Sequence, residues 1–376
     1  MRNTPTVQTT LLGSILLHLR SHRANSRSTL SSVTRLSPST IGLYVDQLIS
    51  QDLVSESGLV QGAMGRPMRT LSLRPAAGWF AGIEFNAERL RAVLIDFSGA
   101  QCAEVVAPLP VNVDTKTVIR TIHQAILGLA KKASGELCAI GVGAPGIVDT
   151  SSGKSIHYSF IDDWRNVPLT SNLQKRFKVH VTLENNLRTI ALAERWFGGG
   201  RELDDYVVLG PRRGFGIAIV KNGQLLAGAH HAVGEIGRWL WPIDGKAGEM
   251  HDALSSHVVW RRLKGTTSRS RLPSDLYEAF ATFRDEAGPA WQAIVDDYAR
   301  VLGLLQLVLD SHTYFLHGPQ VALGERFCQA IAEGVSALIP ALRDTPIRIV
   351  PSTLGDDAGA LGAASLAMEA WLPPRP

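Results

Sequence analysis

The stretch "VTLENNLRTIALAERW" (Val181–Trp196) decides how the chain is read. A β-rich run through Val179, Val181 and Leu183 stops at Glu184-Asn185-Asn186, and a helical pattern of Leu187, Ile190 and Ala193 follows at once. A strand that hands over directly to a helix is the repeating unit of α/β folds. Polar residues at that handover often face a ligand. A lone carboxylate there could act as a general base, but the two residues after Glu184 are amides, which take no proton at neutral pH. The turn is an active site, a disarmed one, or a polar cap on the following helix.

Outward from this stretch, strands alternate with helices. Strands are predicted at residues 80–85, 89–96, 102–107, 137–142 and 179–183, with a helix at 115–132 whose Ile119, Ile122, Ile126 and Leu129 share one face. A second set of strands falls at 206–209, 215–220, 314–317 and 347–350, with helices near 289–310 and 358–371. Two β-rich halves with helices predict two α/β lobes around a cleft. With 376 residues, 45% hydrophobic and 19% charged, the chain fits a globular protein of two or three domains. No apolar run reaches the roughly 18 residues of a membrane span, and the first 23 residues lack a signal-peptide layout, so a cytoplasmic location without membrane attachment is expected. Cys102, Cys138 and Cys328 are far apart and odd in number, which predicts separate thiols and no disulfide framework.

Charge is uneven. Residues 1–74 hold eight Arg and no Lys against Asp46, Asp52 and Glu56, a net of +5, while the remainder carries 30 basic and 31 acidic residues. A basic head on a near-neutral body points to a polyanion partner. The head reads as three short helices. Leu12, Ile15, Leu16 and Leu19 recur at helical spacing, residues 26–36 form the second helix, and "SPSTIGLYVDQLISQ" (Ser37–Gln51) forms the third, with Pro38 just inside its start. Ile41, Val45, Leu48 and Ile49 form its apolar stripe, and Ser39, Thr40, Tyr44 and Gln47 are expected largely outward. The tight turn at Thr34–Ser37 predicts a helix-turn-helix whose second helix enters a major groove N-terminus first. Ser37, Ser39, Thr40 and Tyr44 are the candidate DNA contacts. Two predicted strands, 53–60 and 68–73, flank "QGAMGRP" (Gln61–Pro67), and Arg66 at this wing tip is placed to enter a narrow minor groove.

The run "LSPSTIGLYVDQLISQDLVSESG…GRPMRTLSLRPAAGWFAGIEF" resembles the opening of the ROK family (repressor, open reading frame, kinase), and the likeness continues almost to the C-terminus. The resemblance implies a winged helix-turn-helix at 1–78 and a body of two actin-like ATPase (ribonuclease H-like) lobes. The first would span 79–190, completed by a helix in 357–376, and the second 191–356, which would carry dimerisation. In the kinases of the family a strand leads into Asp-x-Gly-Gly-Thr; here Glu84, Asn86-Ala87 and Glu88 occupy those places. A Gly-Thr-Gly phosphate turn is Pro211-Arg212-Arg213, and the catalytic Asp of Glu-Asn-Asp is Asn186. Losing a positioned base costs roughly 10²–10⁴-fold in rate, so no catalytic residue and no ATP cofactor are expected. The family's zinc ligands, one His and three Cys, are Arg238, Ile243, Gly245 and Met250. None of these is a good Zn²⁺ ligand, so no metal is expected, and Trp239 and Trp241 are expected to order that region by packing.

Ligand-facing positions survive in part. The resemblance places Pro145 and Gly146 in a substrate-side loop, Asn185 and Glu235 on sugar hydroxyls, and Asp252 where a family glutamate stands. Phe160 replaces an Asn that meets the sugar. Arg238 either meets an anionic group of the ligand or pairs with Glu235 and fills the site. The implied function is a transcriptional regulator, most often a repressor, of carbohydrate uptake or catabolism genes. Its effector would be a sugar or sugar derivative held by Pro145, Gly146, Asn185, Asn186, Glu235, Arg238 and Asp252. Its partners would be a double-stranded DNA operator and its own copies in a homodimer or tetramer. The alternatives are a sugar kinase carrying a DNA-binding head and a regulator that responds to no small ligand.

Overall fold

Ser26 begins the first clear local signal in the computed structural model, which describes residues 7–21, 25–61, 67–243, 246–266 and 271–374. Helix α1 (Val7–Arg20) precedes it. The Ser26 hydroxyl accepts from the amide of Thr29, and the Thr29 hydroxyl accepts from the amide of Ser26 at 3.0 Å, a reciprocal cap that starts α2 (Arg27–Thr34). Arg35, in the left-handed region at φ 58°, ends α2, and Ser37 caps α3 (Pro38–Ser50). Leu12, Ile15, Leu16, Leu30, Ile41, Val45 and Leu48 form the core of this head. Strands β1 (Val54–Gln61) and β2 (Pro67–Leu73) pair antiparallel, with a register shift between Ser57 and Leu59 where Gly58 takes φ 63°. Arg27 ties the head together by reaching Asp46 at 2.7 Å and Glu56 at 3.0 Å, joining α2 to α3 and β1.

The body begins with β3 (Trp79–Phe85), β4 (Arg89–Asp96) and β5 (Gln101–Pro108), followed by α4 (Thr115–Ala130), β6 (Leu137–Ala144), β7 (Ile147–Asp149), β8 (Lys154–His157), β9 (Arg165–Val167), α5 (Leu169–Phe177) and β10 (His180–Asn185). The sheet order is β10-β6-β3-β4-β5. Strand β6 runs parallel to both β3 and β10, whereas β3, β4 and β5 form an antiparallel meander. One face packs on α4 through Val118, Ile122, Ile126 and Leu129.

Helix α6 (Asn186–Phe197) leads to β11 (Tyr206–Leu209), β12 (Ile217–Lys221), β13 (Gln224–Leu225), the hairpin β14 (Leu240–Ile243) and β15 (Lys246–Glu249), then α7 (His251–Leu254), α8 (Ser256–Lys264), α9 (Leu276–Ala281), α10 (Pro289–Leu309), β16 (Thr313–Leu316), α11 (Glu325–Leu338) and β17 (Arg348–Pro351). The second sheet has the order β13-β12-β11-β16-β17. Tyr298, Phe327, Tyr314 and Leu302 are central to its core.

The chain divides into two compact units, Met1–Asn186 with Gly359–Pro376, and Leu187–Ala358. The C-terminal helix α12 (Ala358–Ala370) lies against the first sheet, where Gly82 and Gly141 give it room. A Cβ at those glycines would fall 2.0 Å from the Ala360 carbonyl and 1.7 Å from the Ala363 carbonyl. Its far end meets the head at Arg20, whose buried guanidinium donates to the Phe97 and Met368 carbonyls and sits 4.5 Å over the Phe97 ring. Burial works against that charge and pushes the group below the usual arginine range, while Cys138 and Asp96 pull it back. Among the described residues no helix is long and apolar enough to cross a membrane.

Candidate functional site

In the first unit the polar residues collect at the ends of β3, β6 and β10. Glu84 and Glu184 stand in register on either side of Gly143, so they share one face of the sheet. Both are buried. Asn186 donates from Nδ2 to Glu84 Oε1 at 3.1 Å, so the residue at the predicted base position is hydrogen-bonded to the residue at the head of the predicted phosphate loop. Asn185 closes β10, and its Nδ2 donates to the Gly146 carbonyl at 2.9 Å. Gly146 needs to be glycine, because its φ is 73° and a Cβ would lie 2.2 Å from the His157 carbonyl oxygen. Pro145 is buried. Its ring shapes the turn that Gly146 completes. Next to this turn, Phe160 is 48% exposed and meets Tyr158 edge-on with ring centroids 5.4 Å apart.

The β3–β4 turn closes on its own side chain. Asn86 Oδ1 accepts from the amides of Glu88 and Arg89 at 2.8 and 2.9 Å. Backbone donors that a phosphate loop would aim at an anion are thus satisfied internally. In the second unit the Gly210–Gly214 turn behaves in the same way. The amide of Arg212 donates to both the Gly210 and Gly214 carbonyls at 2.9 Å, and the Arg212 carbonyl accepts from the amide of Ser256 at the start of α8, also at 2.9 Å. The Ser256 hydroxyl donates to the Pro211 carbonyl.

Glu235 and Arg238 bracket a short 3₁₀ turn, Ile236–Arg238. Burial raises the Glu235 carboxyl above its ordinary range, and the nearby charges of Arg238 and Arg188 oppose that rise. The Glu235 side chain has no hydrogen-bond partner among the described residues, and Arg238 is exposed and makes no ion pair with it. Asp252 is exposed and lies 3.7 Å from Nε2 of His251, which is 3.1 Å from Glu249. Arg188, not singled out in the sequence, is buried on α6, and its Nη2 donates to the Ala227, His231 and Val233 carbonyls at 3.0–3.3 Å. It holds the loop that leads into Glu235.

Of the positions aligned with zinc ligands, Met250 and, in part, Ile243 pack into the core of the second unit, whereas Arg238 is exposed. Met250 is fully buried, and Trp241 is buried under the Arg300 guanidinium at 5.6 Å. Trp239 does not share that role, being 39% exposed. Gly245 lies outside the described residues. Among those described, no group of three or more His, Cys, Asp or Glu is placed to hold a metal, and the residues present do not fit zinc.

In the head, the Ser37 hydroxyl accepts from the amide of Thr40 at 3.1 Å and lies 2.8 Å from the hydroxyls of Ser39 and Thr40. Ser39 is exposed and Thr40 half-exposed. Tyr44 is partly buried, and beside it Leu43 is 65% exposed. Arg66 lies outside the described residues.

These features define a helix-turn-helix head and an actin-like α/β body with internally bonded turns at Asn86 and Arg212. Residues 80–370 match the model of the ROK family, and the chain belongs to that family. It is similar to the xylose repressor of Bacillus subtilis strain 168, 23% identical over 368 residues, 92% of each chain. It is also similar to the xylose repressor of Caldicellulosiruptor bescii, 28% identical over 226 residues, but that match spans only 59% of this chain and 56% of the relative. The fold is shared with a ROK family transcriptional regulator described as a homolog of the E. coli MLC protein, with a TM-score of 0.79 at 19% identity and 96% of each chain covered.

Proposed function

We propose that the protein is a DNA-binding transcriptional regulator, acting as a repressor of carbohydrate uptake or catabolism genes, and that its body senses a sugar or sugar derivative without phosphorylating it. The observation that carries this reading is the Asn186–Glu84 hydrogen bond in a chain that also bears a basic helix-turn-helix head. An amide in the base position cannot take the proton of an attacking hydroxyl. At Asn86 and Arg212 the amides of Glu88, Arg89 and Arg212 are bonded within their own turns and are not aimed at a phosphate. The xylose repressors it resembles support the same class of function.

On the ligand side, Pro145, Gly146, Asn185, Asn186, Glu235, Arg238 and Asp252 are the proposed effector groups, with Glu235 accepting from hydroxyls and Arg238 available to an anionic substituent. No zinc and no nucleotide cofactor takes part. A dimer or tetramer in the cytoplasm would present two heads to a pseudo-palindromic operator. The effector acts by binding one conformation of the protein better than the other. Gel retardation of the gene's own upstream duplex by the full-length protein tests this. Binding that weakens steeply with salt is expected, whereas absence of binding at low salt contradicts it.

A further inference from the structure

On α3, Ile41, Val45 and Leu48 are buried, so at 3.6 residues per turn the opposite stripe is Ser39, Leu43, Asp46 and Ser50. All four are exposed. The stripe holds two hydroxyls, a carboxylate and one large apolar side chain, and Leu43 at 65% exposure lies near its middle. Asp46 would repel phosphates, but it is 2.7 Å from the Arg27 guanidinium, which ties its charge down. Arg35, exposed in the turn that precedes α3, makes no ion pair among the described residues and is free to meet a phosphate. In a major groove the apolar feature on a base edge is the thymine 5-methyl group.

We propose that Leu43 is a specificity-determining residue that reads thymine methyl groups in each operator half-site. The inference rests on the reading of the protein as a DNA-binding regulator and adds a base to it. Leu43 supplies no hydrogen bond, so it discriminates only by the methyl it covers, and one methyl-sized group removed from water is worth about fourfold in affinity. Ser39, one turn earlier, is available to fix the helix on the backbone.

The test selects bound duplexes from a randomised pool with the full-length protein. Each thymine of the selected site is then replaced by deoxyuridine, which lacks the methyl. Wild type is expected to lose about fourfold at one or two positions per half-site, and Leu43→Ala to bind the thymine and deoxyuridine duplexes equally. Because Leu43 is exposed, the variant should keep the wild-type melting temperature. A selected site whose deoxyuridine scan is flat for wild type, or equally steep for Leu43→Ala, overturns the assignment while leaving the regulator intact. Failure to select any duplex overturns both.

Discussion

The turn at Gly146 and the turns at Asn86 and Arg212 are built from similar ingredients and end in opposite states. At Gly146 a left-handed glycine lets Asn185 approach, and the neighbouring aromatic Phe160 remains exposed. At Asn86 and Arg212 the backbone amides bond to their own loops. At the first turn a side-chain amide from the neighbouring strand closes the loop, and at the other two the loop's own groups close it. The difference between the turns follows individual residues, not the topology.

The largest expected effect breaks the open turn. Gly146→Ala puts a Cβ 2.2 Å from a carbonyl oxygen at positive φ and should cost about 3 kcal/mol of stability, read as a drop in the denaturant midpoint and loss of the sugar-induced rise in Tm. Arg188→Met comes next, since it strands three carbonyls on the loop before Glu235. A loss of about 2–3 kcal/mol is expected in chemical denaturation, together with weaker effector binding.

Glu235 sharpens the comparison through pH. Its folded carboxyl is raised by burial, so its contribution to stability is present below the ordinary carboxylate range and is lost as pH rises through the raised value. Hydroxyl donors on a ligand favour the charged form. Calorimetry should therefore show effector affinity rising with pH across that window, and Glu235→Gln should flatten the dependence. The smallest effect is at the closed turn: Asn86→Ala should cost about 1 kcal/mol and should gain no ATP binding by equilibrium dialysis.

Much of the fold was legible because strand and helix periods are strong in this chain. The meander β3–β5, helix α4 and the strand-to-helix passage at Asn185 lie where the pattern of apolar residues placed them, within a residue or two. The family membership was legible from the head and the opening strand. Other features depended on the third dimension. Arg188 sits in an ordinary amphipathic helix, and only its burial distinguishes it. Leu43 carries no signal of its own in the sequence, because a leucine in an amphipathic helix points to a core until the buried stripe of Ile41, Val45 and Leu48 places it on the opposite side. The Asn86 turn did carry a local signal, since asparagine favours bonding the amides two and three residues on.

The most direct test of the account is release of the full-length protein from its upstream duplex during titration with sugars and sugar derivatives, with and without Mg-ATP, followed by recovery of the sugar. The account predicts release by a particular sugar at the same concentration whether or not ATP is present, with the sugar recovered unphosphorylated. Release that requires ATP and yields a sugar phosphate would contradict it.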